Sequence, residues 1–269
     1  MNPNETSNQK SNLSIPAAII IVGVLVAGAI LLSGKMGATA PANNPAPANN
    51  PTISIKPVSA SDHILGNADA PVVIVEYSDF ECPYCKQFES TMQSLMGTYG
   101  SSGKIAWVYR ELPLTAIHPQ ALPAALAAEC IAAEAGNDAF WKFGMTVFAN
   151  QDKMSPAYYA SLAAADGANA AKFSACVASS TYQSVIDAET ADAQAAGAQG
   201  TPFSVMVMKT PLSSAVKSDV ENYLATTYFG TTPLSQYVNV SSDGKYVVVD
   251  GAMPIANMTA ILDRILGNQ

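Results

Sequence analysis

The sequence predicts an α/β protein whose sheet is interrupted by a block of helices, and three observations lead to this class. Two apolar runs, Val72–Glu76 and Lys104–Glu111, have the composition of buried strands. The segment 119–199 is rich in alanine and has helical spacing. Strand composition then returns at Phe203–Met208, before an amphipathic segment at Ile255–Leu266. This order indicates one domain with a helical insertion rather than two independent domains.

The first strand leads directly into a pair of cysteines. The run 71–81 (PVVIVEYSDFE) continues into CPYC at 82–85, and a helix is predicted from Cys82 to Met96. At a helix start, unpaired backbone N–H groups and the positive end of the helix dipole favour a thiolate over a thiol. Cys82 is therefore the expected nucleophile, and Cys85, one helical turn on, can close a disulfide with it.

Turn residues divide the helical block into separate predicted helices. The breaks lie at Gly136, Asn150, Gly167 and Ser179–Ser180. The predicted helices are Gln120–Ala135, Ala139–Asn150, Pro156–Asp166, Ala168–Ser179 and Tyr182–Ala196. A further strand is predicted at Tyr246–Val249, ahead of the closing helix.

The N-terminal region predicts an exported protein. Residues 15–32 are an uncharged run of 18 residues, near the lower limit for crossing a bilayer. We interpret 1–14 as a cytoplasmic tail and 15–33 as a transmembrane anchor; a signal peptide cleaved after Ala38-Thr39-Ala40 is the alternative. The Pro-, Asn- and Ala-rich stretch 34–56 is predicted to be an extended linker, and 57–269 the globular domain.

Composition restricts the class of partner. Apolar residues make up 49% of the 269-residue chain and charged residues only 13%, so a sizeable core is expected. The net charge of −8 argues against nucleic acid as a partner, because there is no basic surface to replace counterions.

A zinc site is the main alternative interpretation of the CPYC sequence. Structural zinc sites need four ligands, commonly from two paired motifs. This chain has no second C-x-x-C and only two histidines, His63 and His118. The pattern therefore favours a redox pair, with no metal and no cofactor.

Several motifs together resemble the DsbA-like branch of the thioredoxin superfamily. The resemblance covers roughly residues 58–208 and resumes in the final helix. A C-x-x-C alone is a moderate signal, but a Gly-Thr-Pro about 120 residues later, with helices between, makes it specific. In chain order the matching pieces are DHILGNADAP at 62–71, Glu76, Asp79, CPYC at 82–85, RELP at 110–113, His118-Pro119, Phe140-Trp141 and Gly200-Thr201-Pro202.

The resemblance implies a thioredoxin-like fold and a role for each site residue. Cys82 would form the mixed disulfide with a substrate and Cys85 would resolve it. Pro202 would be the cis-proline opposite the cysteines, and Thr201 would present backbone groups to an extended substrate. Glu76 would be a buried acid that assists proton transfer, although a hydrogen-bonded strand carboxylate without catalytic duty is an equal alternative.

Two cysteines remain, Cys130 and Cys176, both on predicted helices. They are either buried free thiols or a structural disulfide, and a remaining even pair in an exported protein favours the disulfide. Some DsbA-like proteins carry a second, structural disulfide in the helical block, so the resemblance implies a Cys130–Cys176 bridge.

Four other residues near the site are expected to have no direct part in the chemistry. Asp79 and Glu81 are expected to be solvated or capping residues, and a negative Glu81 beside Cys82 should oppose thiolate formation slightly. His118 and Trp141 are expected to be packing residues.

The chain departs from the family between Lys209 and Gly244, where a tight turn would be expected. About 35 residues intervene, with helical character at Ser218–Thr226, followed by Tyr228-Phe229 and Pro233. This insertion follows the proline strand, so it either shapes the substrate face or decorates the periphery.

These features together predict a single-pass protein of a bacterial cytoplasmic membrane with an extracytoplasmic thiol–disulfide oxidoreductase domain. The expected direction is oxidation of exported proteins with free thiols, and a membrane redox partner would reset the cysteine pair. A disulfide isomerase or reductase is the alternative within the enzyme class. A non-catalytic thioredoxin-fold module that binds copper or zinc is the alternative from a different class.

Overall fold

The computed structural model describes residues 53–267. The predicted tail (1–14), the anchor or signal peptide (15–33) and most of the linker (34–56) lie outside this range. Between residues 53 and 267, no helix combines the length and the apolar character that crossing a bilayer requires.

A mixed six-stranded sheet forms the centre of the domain. In chain order the strands are β1 (His63–Gly66), β2 (Val72–Ser78), β3 (Ile105–Glu111), β4 (Phe203–Met208), the two-residue strands β5 (Tyr228–Phe229) and β6 (Thr232–Pro233), β7 (Val238–Val240) and β8 (Tyr246–Asp250). The spatial order is β1-β3-β2-β4-β8-β7, with β5 and β6 forming a separate hairpin. Only β2 and β3 run parallel; the other neighbouring strands are antiparallel.

Helices cover both faces of this sheet. They are α1 (Pro83–Leu95), α2 (Ala121–Ala135), α3 (Asn137–Ala149), α4 (Pro156–Ala165), α5 (Ala170–Ala178), α6 (Gln183–Ala195), α7 (Ser214–Thr226) and α8 (Ile255–Leu266). A single π-helical turn, Met96–Gly100, follows α1. The predicted helical block is confirmed, because α2 to α6 agree with the predicted ranges to within two residues at each end.

Strand β2 is buried on both faces, which explains its unbroken apolar sequence. All seven of its residues are buried. Because side chains alternate along a strand, Val72 and Ile74 join the larger core with α1, α8 and the helical block. Val73 and Val75 join a second core that includes Ala193 of α6.

The second core corrects the predicted end of the linker. Ile53 and Ile55 were assigned to the extended stretch 34–56, yet both are buried in this core. The backbone N–H of Lys56 also donates a hydrogen bond to Asp192 Oδ1 at 2.8 Å. Alternate isoleucines cover the apolar surface beside α6, so the packed domain begins before residue 57.

The insertion between β4 and β8 is an ordered part of the fold. Its helix α7 begins four residues earlier than the predicted Ser218, because the Ser213 hydroxyl caps it by accepting a hydrogen bond from Val216 N at 3.3 Å. Helix α7 packs against α8 and β7. Strand β7, which the sequence did not predict, extends the sheet beyond β8.

Candidate active site

Cys82 lies at the turn between the central strand β2 and helix α1. Its backbone N–H donates to Asp79 O at 3.0 Å, and its carbonyl accepts the first helical bond, from Lys86 N at 3.1 Å. Cys82 is the N-cap residue with extended backbone, and Pro83 is the first residue of the helix, where its missing N–H costs no hydrogen bond. The prediction that the cysteine pair lies at a helix start is therefore confirmed.

The two cysteines have opposite acidities. The Cys85 thiol donates a hydrogen bond to the Cys82 sulfur, and together with the Thr201 hydroxyl and the backbone N–H groups of Tyr84 and Cys85 it lowers the pKa of Cys82 to about 6, against the opposing effect of burial. Burial raises the pKa of Cys85, which is fully enclosed. At neutral pH Cys82 is therefore the thiolate and Cys85 the thiol.

The loop before β4 closes over this pair. The peptide bond between Thr201 and Pro202 is cis. In the dithiol form the Cys82 thiol donates to the Thr201 carbonyl at 3.5 Å. The Thr201 hydroxyl is buried and has no well-formed hydrogen bond in this form, so it is available to a Cys82 thiolate. The motif Gly-Thr-Pro thus lies beside the cysteines, although 119 residues separate Cys82 from Thr201.

Glu76 is a buried acid on β2, on the same face as the larger core. Its carboxyl accepts a hydrogen bond from Trp107 Nε1 at 3.0 Å. Burial, followed by the charge of nearby Glu89, raises the pKa of Glu76 to about 8. The charge on Glu76 in turn contributes to the raised pKa of Cys85. Glu76 is therefore mostly protonated at pH 7 and close enough to Cys85 to influence its titration.

The expectation that Asp79 is solvated or capping is wrong. Its side chain is completely buried and accepts hydrogen bonds from the backbone N–H of Glu81, from Leu114 N and from His118 Nδ1, each at 2.8 Å. His118, expected to be a packing residue, is instead paired with this carboxylate. These three hydrogen bonds compensate the buried carboxylate for its loss of contact with water. They also hold the loop after β3 beside the cysteine turn.

Glu81 also has a structural partner. Its carboxylate accepts a hydrogen bond from the backbone N–H of Gln120, which precedes α2. Trp141 packs as expected, with its ring 4.6 Å from that of Trp107.

Gln151 is a site residue that sequence reasoning missed. Its side-chain amide donates to Phe80 O at 2.9 Å and to Cys82 O at 3.0 Å, so it holds the cysteine turn from the 3-10 turn after α3. No local signal marks it, because its partners lie about 70 residues away in sequence.

The remaining cysteines form the bridge that the resemblance implies. Cys130 of α2 and Cys176 of α5 are disulfide-bonded, with Cα atoms 5.9 Å apart. Cys82 and Cys85 are free thiols. Among residues 53–267, no group of three or more His, Cys, Asp or Glu side chains is arranged to hold a metal ion.

Comparison with known proteins gives the family. The thioredoxin family profile matches residues 59–218. The chain belongs to the thioredoxin family. Solved structures with this fold include BdbD from Bacillus subtilis, at 19% identity and a TM-score of 0.59 over 80% of this chain and 98% of that one. Wolbachia pipientis α-DsbA1 is 18% identical, with a TM-score of 0.59 over 78% of this chain and 94% of that one. Pseudomonas aeruginosa DsbA2 is 20% identical, with a TM-score of 0.53 over 77% of this chain and 96% of that one.

These likenesses confirm the DsbA-like thioredoxin fold with its helical block. Curated relatives match over a shorter stretch. The Na(+)/H(+) antiporter NhaA 3 of Salinispora tropica is 49% identical over 96 residues, which are 36% of this chain and 14% of the antiporter. The chain thus matches about a seventh of that relative's length, and antiport activity does not carry over to it.

Proposed function

We propose that this thioredoxin-family protein is a membrane-tethered, extracytoplasmic thiol–disulfide oxidoreductase that oxidises exported proteins through Cys82 and Cys85. One observation carries the proposal: Cys82 lies at the start of α1, where the Cys85 thiol and the backbone N–H groups of Tyr84 and Cys85 help to lower its pKa to about 6 and so stabilise its thiolate. A dithiol whose reduced form is stabilised in this way accepts electrons readily, because its disulfide is correspondingly less stable.

The reaction begins with the Cys82–Cys85 disulfide. A substrate thiolate attacks Cys82 Sγ, forming a mixed disulfide and releasing Cys85 as a thiolate that takes up a proton. A second substrate thiolate then attacks the substrate sulfur of the mixed disulfide, and Cys82 leaves as a thiolate. The substrate gains a disulfide and the enzyme is left with a dithiol. Because a leaving thiol of low pKa departs faster, the pKa of about 6 favours this second step.

Glu76 is suited to supply the proton in the first step. Cys85 is fully buried, so it cannot take a proton directly from bulk water. The Glu76 carboxyl, with its pKa raised to about 8, holds a proton at pH 7 and is coupled electrostatically to Cys85. Proton transfer by a positioned carboxyl of this kind typically contributes about 10²–10⁴ in rate.

Two features support an extracytoplasmic location. The Cys130–Cys176 disulfide is stable in oxidising compartments and rare in the cytosol. The uncharged run 15–32 is long enough for an anchor or a signal sequence. A membrane redox partner would reoxidise the cysteine pair after each turnover.

One observation favours isomerase or reductase activity as a second candidate. The pKa of Cys82, about 6, lies nearer to the value of about 7 for thioredoxin than to the value of about 3.5 for DsbA. A weaker oxidant reshuffles or reduces disulfides more readily than it forms them.

A two-sided assay tests the direction. The purified oxidised protein is incubated with a reduced, denatured test protein, and the reduced form is incubated with insulin and a reductant. Rapid oxidation of the test protein with slow insulin reduction is the expected result. Insulin reduction without oxidation of the test protein would reverse the assignment. A Cys85→Ala variant should also trap mixed disulfides with exported proteins in cells.

A further inference from the structure

A small groove lies between the inserted hairpin and the loop after β8. Phe229 and Tyr237 of the insertion form one wall, with ring centroids 6.0 Å apart and planes at 86°. Asp250, the last residue of β8, and the loop 251–254 form the other wall. The hairpin side of this groove belongs to the segment in which the chain departs from its family.

The groove adjoins the segment that would receive a substrate. The Gly251 N–H donates to the carbonyl of the cis-proline Pro202 at 2.9 Å, and Asp250 is the direct neighbour of Phe203 in the sheet. Adjacent strands lie about 4.8 Å apart and an extended chain advances about 3.3 Å per residue. A peptide aligned on Thr201 would therefore bring a side chain within about three residues of its cysteine to the groove.

The size of the groove selects one side chain as its occupant. Its volume is about 70 Å³, whereas pockets for small-molecule ligands are about 300–1,000 Å³. The groove is partly open to solvent, so the end of one extended side chain fits it, and a cofactor or a helix does not.

The chemistry of the lining selects a basic side chain. The Asp250 carboxyl is half-buried and has no hydrogen bond or ion pair to any described residue. Burial raises its pKa, so the carboxylate is poorly solvated and a cation would compensate it. The two aromatic rings offer faces for the alkyl stem and charge of lysine or arginine.

We propose that this groove binds the side chain of a lysine or arginine that lies within about three residues of the reacting cysteine in the substrate. The groove thereby gives the enzyme a preference among exported proteins. This inference rests on the proposed thiol–disulfide exchange, since it concerns the substrate of that reaction.

A peptide series on the full-length oxidised protein tests the inference. Each peptide has one cysteine and a single variable residue, Lys, Leu or Glu, placed in turn at each of the three positions on either side. The rate constant for mixed-disulfide formation is measured for wild type, Asp250→Asn and Phe229→Ser. Asp187→Asn is the matched control, because Asp187 is an exposed carboxylate on α6 that does not line the groove.

We expect Lys at one or two positions to react about fivefold to tenfold faster than Leu, and Glu to react slowest. Asp250→Asn should reduce the Lys-to-Leu ratio to near one. Phe229→Ser should lower it in part, and Asp187→Asn should leave it at the wild-type value.

Equal rates for Lys, Leu and Glu at all positions would overturn the inference while leaving the exchange activity established. A Lys preference that survives Asp250→Asn would overturn it as well. Failure of every peptide to react would overturn the proposed function, and the inference with it. Sedimentation of the same samples tests whether a second copy of the chain occupies the groove instead. If the wild type is a dimer, and Phe229→Ser dissociates it without changing the peptide ratios, the groove serves self-association and the inference is overturned.

Discussion

The two cysteine pairs of this domain have contrasting surroundings. Cys82 and Cys85 lie at the start of α1. There the Cys85 thiol, the Thr201 hydroxyl and backbone N–H groups act on the Cys82 sulfur. Cys130 and Cys176 lie on two packed helices, within and against the larger apolar core, and are joined. The difference teaches that the position of a cysteine relative to helix ends and polar donors, rather than its burial, separates a reactive pair from a structural one.

The largest predicted difference between the pairs is in activity. Cys82→Ser should lose disulfide exchange to the level of the uncatalysed reaction, because no thiolate remains to form the mixed disulfide. The double variant Cys130→Ala/Cys176→Ala should retain most of the activity at a temperature at which it stays folded. Rates of oxidation of a reduced test protein check both. Equal losses in the two variants would contradict the assignment of separate roles.

The second pair should contribute to stability instead. The Cys130–Cys176 bridge joins residues 46 apart, so removing it releases a long loop in the unfolded chain and should lower the free energy of unfolding by about 4 kcal/mol. Urea unfolding of the double alanine variant measures this. Wild type with only Cys82 and Cys85 reduced is the control, and a comparable loss there would show that both pairs are structural.

The variant Glu76→Gln tests the surroundings of the reactive pair through the pH dependence of the free energy of unfolding. The folded protein holds the Glu76 proton up to about pH 8, whereas the unfolded chain loses it near pH 4.5, so this group lowers stability as pH rises between those values. Relative to wild type, the Gln variant should therefore gain on the order of 3 kcal/mol between pH 5 and pH 8.

The same variant should slow exchange, because the amide keeps an acceptor for Trp107 Nε1 but cannot give a proton to Cys85. We expect a loss of about a hundredfold in the rate of mixed-disulfide formation near pH 7. Urea titrations at the two pH values and stopped-flow mixing with a dithiol peptide measure the two effects. Unchanged stability and rate would leave Glu76 as a strand carboxyl without a role.

The smallest predicted effect concerns the donors around the Cys82 thiolate. Thr201→Val removes one hydroxyl and retains the backbone carbonyl, so the pKa of Cys82 should rise from about 6 towards about 7. Thiolate absorbance near 240 nm, followed against pH, gives this value. No change would mean that Cys85 and the backbone N–H groups suffice.

Local patterns were enough to predict the elements that place the reactive pair. The apolar run of β2, the CPYC sequence and the helices of the block depend on near neighbours in sequence, and they were predicted closely. Strand β7 was missed because three residues carry too little periodicity. Gln151 and the pairing of Asp79 with His118 were missed because their contacts span 39 to 71 residues and depend on the tertiary fold.

The most direct test is the reduction potential of the Cys82–Cys85 pair, measured on the full-length protein by equilibration with glutathione buffers. Stabilisation of the Cys82 thiolate predicts a potential above that of thioredoxin, about −270 mV, in the range up to about −180 mV, the value for protein disulfide isomerase. A potential at or below about −270 mV would contradict the account, because the pair would then donate electrons to exported proteins rather than accept them.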